Sequence, residues 1–322
     1  MVVADKICKS YGLKSALDSL SMTVAPGVVL GFIGPNGAGK TTTMRIFAGT
    51  MPPSSGRISI CGHDLAEEPL AAKSLTGYLP ENAPLYSHMR VKPFLDFCAR
   101  MRGVEERNLA KAVGLAAERC TLTSVMDEEL ESLSKGFRRR VCLAQAIIHD
   151  PKVLLLDEPT DGLDPVQKLQ IRSLIRELRE GRAIIVSTHI LEEVDIVCDR
   201  VLAISDGRKI FDGTTEEFKS GGRGHSLDIT LYGAMPSQFA LDALRELESL
   251  KSLELISEFG GSVVLRLHPK DSMEGRVSLE AVDSARQAGW RVDSCVHVPP
   301  ERLDDIFTAM IKESSIVEGS LK

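Results

Sequence analysis

The chain has 322 residues, enough for two domains, and its hydrophobic (43%) and charged (26%) fractions are typical of globular proteins. A net charge of −6 argues against nucleic acid as a partner, because dedicated nucleic-acid-binding proteins more often carry a basic excess. The sequence predicts no secretory signal at the N-terminus and no apolar run long enough to cross a membrane. The seven cysteines are scattered, which predicts neither disulfides nor a zinc site.

Residues 1–215 alternate short apolar runs with helical periods, which is the pattern of an α/β domain. Helical spacing is found in 39–49 and in 165–181, whereas 84–146 is almost wholly helical in pattern and predicts a helical insert. Continuous runs of Val, Ile and Leu, of the kind found in parallel sheets with both faces covered, predict buried strands at 27–34, 152–159 and 182–190.

A second domain is predicted after a glycine-rich linker. The stretch "KSGGRGHS" (219–226) interrupts the pattern, so we expect a first domain over 1–218 and an accessory domain over 227–322. Beyond the linker the predicted order is βαββαβ, with a hairpin turn at Gly260-Gly261 and a last helix near the C-terminus, over 301–313. That order predicts a smaller α+β domain of the ferredoxin-like, split βαβ kind.

The segment "LSKGFRRRVCLAQA" (133–146) holds four cationic side chains within six positions. The segment alone leaves three alternatives: a helix that grips nucleic acid, an ordinary solvated helix face, or one half of a nucleotide site. The motifs on either side of it decide between them.

The stretch "GPNGAGKT" (34–41) fits the phosphate-binding pattern G-x-x-x-x-G-K-[ST] and lies between a predicted strand and a predicted helix. Its glycines allow the backbone and the helix N-terminus to approach a phosphate closely. Lys40 can reach the β- and γ-phosphates, and Thr41 can offer its hydroxyl to Mg²⁺. The predicted ATP-binding residues of the loop are Gly34, Pro35, Asn36, Gly37, Ala38, Gly39, Lys40, Thr41 and Thr42.

The strand "KVLLLDEP" (152–159) provides two carboxylates at its carboxyl end, where ligands of parallel sheets bind. Asp157 can hold Mg²⁺ or its waters, and Glu158 can act as the general base for an attacking water. An apolar run followed by two acids is a weak pattern alone, but together with the phosphate loop it becomes a strong one.

The ordered set "GPNGAGKTT", "LSKGFRRR", "LLLDEPTDGLD" and "STH" resembles the nucleotide-binding subunit of an ABC transporter over roughly residues 1–215. The basic segment then corresponds to that family's "LSGGQ" signature, matching it at Leu133, Ser134 and Gly136, with Lys135 and Phe137 as variants. The resemblance implies that these five residues contact the ATP held by a facing subunit, so the third alternative is favoured.

The resemblance also implies roles for residues outside these motifs. Tyr11 stands where an aromatic ring stacks on adenine, and His189 where a histidine contacts the γ-phosphate and orders the attacking water. The loop formed by Asp161, Gly162, Leu163 and Asp164 matches the segment that crosses the dimer interface.

One position departs from the family pattern: Glu81 replaces the glutamine that contacts Mg²⁺ and moves with the membrane partner. A carboxylate is also a hard oxygen ligand, so the contact with Mg²⁺ can persist. Glutamate here is similar to some subunits of ABC-2-type exporters, including gliding-motility, sodium-export and drug-export relatives.

The resemblance implies a Mg²⁺-dependent ATPase, with Lys40, Glu158 and His189 as catalytic residues, that powers transport through a separately encoded integral-membrane permease. A homodimer peripheral on the cytoplasmic face of the membrane is implied, and the C-terminal domain is expected to be a dimerisation or regulatory module. Two alternatives stay open: an ABC ATPase that serves a soluble assembly, and an ATP-dependent switch that hardly turns ATP over.

Overall fold

The computed structural model describes residues 1–82, 85–219, 226–233, 236–270, 274–298, 306–307 and 310–311. The chain divides into two compact units, Met1–Thr215 and Glu216–Lys322, which are described separately. Residues 220–225 of the predicted linker, and most of the predicted last helix over 301–313, lie outside the described residues.

The first unit contains ten strands, seven α-helices and one short 3-10 helix (Thr123–Val125) among its described residues. The strands are β1 (Val2–Tyr11), β2 (Lys14–Val24), β3 (Val29–Ile33), β4 (Ser55–Ile60), β5 (His63–Asp64), β6 (Thr76–Leu79), β7 (Val153–Asp157), β8 (Ala183–Thr188), β9 (Arg200–Ser205) and β10 (Arg208–Thr214). The helices are α1 (Lys40–Phe47), α2 (Pro69–Ser74), α3 (Val91–Met101), α4 (Glu106–Arg119), α5 (Lys135–Ile147), α6 (Pro165–Leu178) and α7 (Leu191–Val197). A further short helix, α8 (Thr215–Lys219), begins at the end of this unit.

The central sheet has the strand order β10-β9-β3-β8-β7-β6, and all neighbours except β9 and β10 run parallel. Every residue of β3, β7 and β8 is buried, as the continuous apolar runs in the sequence predict. Because these three strands are parallel neighbours, their carboxyl ends lie at one edge of the sheet. The α/β fold class with parallel strands is confirmed.

A second sheet, of order β2-β1-β4-β5, is antiparallel throughout and was not anticipated from the sequence. Its strands are half-exposed and interrupted by register shifts, so they lack the continuous apolar runs that mark β3, β7 and β8. One face packs on α1 and on the central sheet in a single core that includes Ile7, Leu20, Phe32 and Phe47.

The predicted helical insert over 84–146 is formed by α3, α4 and α5. Their apolar faces pack on each other through residues such as Leu95, Val113 and Leu143, which are buried. The insert packs closely on the central sheet at the end of α5, where a Cβ on Gly77 of β6 would collide with the carbonyl oxygen of Ala146.

The second unit contains β11 (Leu227–Tyr232), α9 (Ser237–Arg245), β12 (Leu250–Phe259), β13 (Ser262–Pro269), α10 (Glu274–Gln287) and β14 (Arg291–His297). This is the predicted βαββαβ order, and the four strands form an antiparallel sheet of order β12-β13-β11-β14 around its own core. The turn between β12 and β13 has φ of 58° at Gly260 and 79° at Gly261, as a two-residue type I′ hairpin requires.

No helix in the described part of the chain is both long enough and apolar enough to span a bilayer.

We predict that His149, between α5 and β7, makes the first unit sensitive to acid. Its Nε2 lies 3.2 Å from the carbonyl oxygen of Thr76, and burial, reinforced by Arg102, lowers the pKa of His149 from 6.5 to about 4. Below pH 6.5 His149 therefore binds a proton in the unfolded chain but stays neutral in the folded chain. This difference lowers the free energy of unfolding by about 2 kcal/mol between pH 7 and pH 5.

Urea unfolding at both pH values checks this. A His149→Gln variant should lose about 2 kcal/mol less stability than the wild type over the same interval. His88→Gln is the control, because the His88 side chain is 92% exposed. Equal losses for the two variants would contradict the prediction.

Candidate functional site

The phosphate-binding pattern lies where the sequence predicts, between the end of β3 and the start of α1. Gly39 has φ of 109°, and a Cβ there would lie 2.6 Å from the carbonyl oxygen of Ala16. A Cβ on Gly34 would lie 2.6 Å from the carbonyl oxygen of Ile204. These two glycines are therefore required by the packing of the loop, which holds it at a helix N-terminus suited to anions.

Lys40 is the buried cation of this loop, with only 7% of its surface exposed. Its Nζ donates hydrogen bonds to the carbonyl oxygens of Gly34 at 2.7 Å and Pro35 at 3.3 Å. Burial lowers the pKa of Lys40, and the nearby carboxylates of Glu158, Asp157 and Glu81 oppose that shift. The lysine is thus held against the loop, with three acidic residues around it.

Asp157 ends β7 and is fully buried. Its Oδ1 accepts a hydrogen bond from the hydroxyl of Ser187 on β8, whereas its Oδ2 has no hydrogen-bond partner among the described residues. Buried polar atoms are usually paired, and a carboxylate oxygen left free in this way suits a hard cation. The chemistry of Asp157, together with the hydroxyl of Thr41 and the carboxylate of Glu81, fits Mg²⁺.

Glu158 and His189 form a pair at the carboxyl edge of the sheet, with 2.9 Å between Oε2 of the glutamate and Nδ1 of the histidine. Glu158 has a φ of 49°, a left-handed conformation that residues other than glycine rarely adopt, and its N–H donates to Ser187. Burial raises the pKa of Glu158, although His189 and Lys40 oppose the shift. The raised pKa lies closer to neutral pH, and a general base works best when its pKa is near the pH at which it acts.

One cavity of about 480 Å³ is lined by eleven of the predicted residues. Its lining contains residues from each of the phosphate loop, the acidic strand and the histidine segment, together with Tyr11 and Glu81. The lining residues are Tyr11, Lys14, Ala16, Asn36, Gly37, Gly39, Lys40, Thr41, Thr42, Glu81, Glu158, Asp161 and His189. Lys14 and Ala16 were missed, and their nearness to Tyr11 in sequence was the available signal.

The five signature residues, 133–137, do not line this cavity. They lie where α5 begins, and the Oγ of Ser134 accepts a hydrogen bond from the N–H of Phe137 at 3.3 Å. The Nζ of Lys135 lies 3.4 Å from Oδ2 of Asp161, so the signature segment is paired with the loop that follows the acidic strand. In that loop Leu163 is buried, and Asp164 caps α6 by accepting from the N–H of Gln167 at 2.9 Å.

A buried carboxylate behind the site, Glu193 of α7, was also missed. It accepts hydrogen bonds from the hydroxyl of Thr160, two residues after Glu158, and from that of Thr188 at 3.3 Å, which precedes His189. Arg172 of α6 donates to the same carboxylate at 3.4 Å. Glu193 therefore links the segment that contains Glu158 to the segment that contains His189.

Comparison with known proteins identifies the family. The family described as ABC transporter matches residues 17–161. The chain is 39% identical to the Nod factor export ATP-binding protein I of Paraburkholderia xenovorans, over 65% of this chain and 69% of that protein. It is 36% identical to the daunorubicin resistance ATP-binding protein DrrA3 of Streptomyces coeruleorubidus, over 71% of this chain and 73% of that protein.

Two solved structures are similar in fold. One is the ATP binding subunit of an ABC transporter, with a TM-score of 0.64 and 28% identity over 68% of this chain and 92% of that one. The other is the dimeric bacterial ABC transporter cassette MJ0796, with a TM-score of 0.62 and 20% identity over 66% of this chain and 98% of that one, a likeness of fold alone. The chain therefore belongs to the ATP-binding subunits of ABC transporters, which are ATPases that power a separate membrane subunit.

Proposed function

We propose that this chain is the ATP-hydrolysing subunit of an ABC-2-type exporter, working from the cytoplasmic face of the membrane. The observation that carries the proposal is the Glu158–His189 pair, which faces Lys40 and the phosphate loop across one cavity. The names of two relatives, which refer to Nod factor export and daunorubicin resistance, support export as the direction of transport.

In this proposal the residues of the cavity have separate roles in binding and hydrolysing ATP. Tyr11, which is half-exposed at the end of β1, stacks on the adenine, and the loop over 34–42 holds the phosphates. Lys40 exchanges its carbonyl partners for phosphate oxygens. Glu158 takes a proton from the attacking water, and His189 orients that water and contacts the γ-phosphate.

Thr41, Glu81 and the free oxygen of Asp157 are the residues that would hold Mg²⁺. When bound, Mg²⁺ supplies positive charge to the β- and γ-phosphates. Ser187 donates a hydrogen bond to the other oxygen of Asp157, which would fix the carboxylate for that role.

The proposal includes a second copy of the chain. The signature residues 133–137 do not line their own chain's cavity, although Lys135 lies 3.4 Å from the lining residue Asp161, and this supports a role toward ATP held by a facing subunit. The first unit contains one phosphate loop, so a homodimer provides two complete sites, with residues 161–164 crossing between them.

A membrane permease is the proposed second partner. Tyr86 is 59% exposed, Phe97 is 39% exposed and Met101 is 71% exposed, and the last two are one turn apart on α3. Tyr86 follows Glu81 by five residues, and the rings of Tyr86 and Phe97 meet edge to face with their centroids 5.8 Å apart. Exposed apolar side chains grouped in this way suit a protein contact.

We predict that Glu158→Gln lowers the rate of ATP hydrolysis by about 100-fold or more while Mg-ATP still binds, because the amide cannot accept the proton of water. Phosphate release and equilibrium binding of Mg-ATP to the purified chain measure the two quantities. Glu192→Gln is the matched control, since Glu192 is exposed on α7. If the wild type turned ATP over no faster than Glu158→Gln, the chain would be a binding switch.

We predict that Glu81→Gln keeps its affinity for Mg-ATP within about tenfold, because the amide keeps one oxygen for Mg²⁺. Titration of the purified variant with Mg-ATP, beside Glu81→Ala, which has no side-chain oxygen, provides the measurement. Loss of Mg-ATP binding in Glu81→Gln would contradict the prediction, and unchanged binding in Glu81→Ala would remove Glu81 from the proposed Mg²⁺ ligands.

We predict that Phe97→Ser and Met101→Ser reduce the amount of a polytopic membrane protein that copurifies with the chain from detergent-solubilised native cells, while the ATPase rate of the isolated chain is unchanged. Leu70→Ser is the control, because Leu70 is 85% exposed on α2. Recovery of soluble partners alone, from wild type and variants equally, would favour an ATPase that serves a soluble assembly.

A further inference from the structure

Arg139, in the second turn of α5, is a buried cation with 9% of its surface exposed. Burial of this kind is costly unless the charge is well paired, and it lowers the pKa of Arg139. Among the described residues, no carboxylate side chain forms an ion pair with Arg139 or accepts a hydrogen bond from it. Its partners are main-chain carbonyl oxygens, so its role depends on where those carbonyls lie.

The guanidinium group has five N–H donors, and it makes five hydrogen bonds. Nε donates to Pro159 at 3.3 Å, and Nη2 donates to Asp157 and to Glu158. Nη1 donates to Pro80 at 2.9 Å and to Glu81 at 2.8 Å. One side chain thus joins the segment that follows β6 to the segment that follows β7.

The two segments need such a link because the strand pairing stops just before them. The ladder between β6 and β7 ends with Leu79 opposite Leu156. The residue that follows β6 is Pro80, which has no N–H and cannot continue the ladder. Arg139 replaces the missing strand contacts with five side-chain hydrogen bonds, at the point where Glu81 and Glu158 enter the cavity.

We propose that Arg139 is a positioning residue that couples the Glu81 segment to Glu158, so that the rate of hydrolysis, and not the affinity for ATP, depends on its forked side chain. This inference rests on the proposed ATPase function of the same site. Glu158 has a left-handed backbone, which persists only where the surroundings hold it, and Arg139 holds the carbonyl oxygens of Glu158 and of both its neighbours.

The same contacts transmit a movement of the Glu81 segment to the segment that carries Glu158. If the Glu81 segment moves away from α5, two N–H groups of a buried cation lose their partners. The guanidinium can then follow the moving segment, or stay and remain underpaired. Remaining underpaired is costly for a buried cation, so following is favoured, and it disturbs the hydrogen bonds to the carbonyl oxygens of residues 157–159. A displacement at Glu81 then reaches the general base without passing through the nucleotide.

Two substitutions distinguish the effect of the forked guanidinium geometry of Arg139 from the effect of its positive charge. Arg139→Lys keeps a cation, but a single ammonium has three donors at one point and cannot bond to both segments in the same way. Arg139→Gln removes the charge as well. Arg119→Gln is the control, because Arg119 is an exposed arginine at the end of α4 in the same helical insert.

The experiment uses the purified full-length chain. It measures kcat and KM for Mg-ATP, the Kd of a non-hydrolysable ATP analogue with Mg²⁺, and the melting temperature of each variant. We expect kcat to fall roughly 100-fold in both Arg139→Lys and Arg139→Gln while the Kd is unchanged, because a small misplacement of a catalytic group costs rate rather than binding. Arg119→Gln should match the wild type.

Full activity in Arg139→Lys would overturn the inference, because charge alone would then suffice. Equal losses of affinity and rate would also overturn it, since they would indicate general damage to the site. If Arg139→Gln does not fold, the kcat and Kd of Arg139→Lys alone test the inference, and its melting temperature shows whether that variant is folded. A wild-type chain without ATPase activity would instead refute the proposed function.

Discussion

The alignment of three buried parallel strands is the constraint on which the site depends. β3, β8 and β7 are adjacent, and every one of their residues is buried, so their lengths and register are fixed by the core on both faces. The phosphate loop, the Asp157–Glu158 pair and His189 each leave one of these strands at its carboxyl end. Residues more than a hundred positions apart in sequence therefore line one cavity.

The charges at this edge are balanced by a small number of specific contacts. Lys40 is buried beside three carboxylates, and Glu158 is partly buried beside Lys40 and His189. Ser187 and Glu193 then fix the orientation of the groups behind the pair. Burial disfavours the charged form of Lys40 and of Glu158 alike, so each depends on the opposite charge nearby, and bound phosphates would add a further partner for the lysine.

Much of this arrangement could be predicted from the sequence because its signals are local. The phosphate loop, the acidic strand and the βαββαβ order of the second unit each depend on short patterns of glycines, apolar runs and turn residues. The antiparallel sheet formed by β1, β2, β4 and β5 was not predicted, since its half-exposed strands and register shifts leave no clear period. Glu193 and Arg139 were not foreseen as organising residues, because their partners lie up to 59 positions away in sequence.

The close packing of Gly34 and Gly39 has a consequence for how the loop tolerates change. A side chain at either position would meet a backbone carbonyl of β9 or β2 before it met a phosphate, so the sheets themselves would have to separate. The nucleotide loop is therefore part of the joint between the parallel and antiparallel sheets. A substitution at an exposed residue of this loop, such as Asn36, avoids this packing, whereas the two packed glycines are constrained by folding even without ATP.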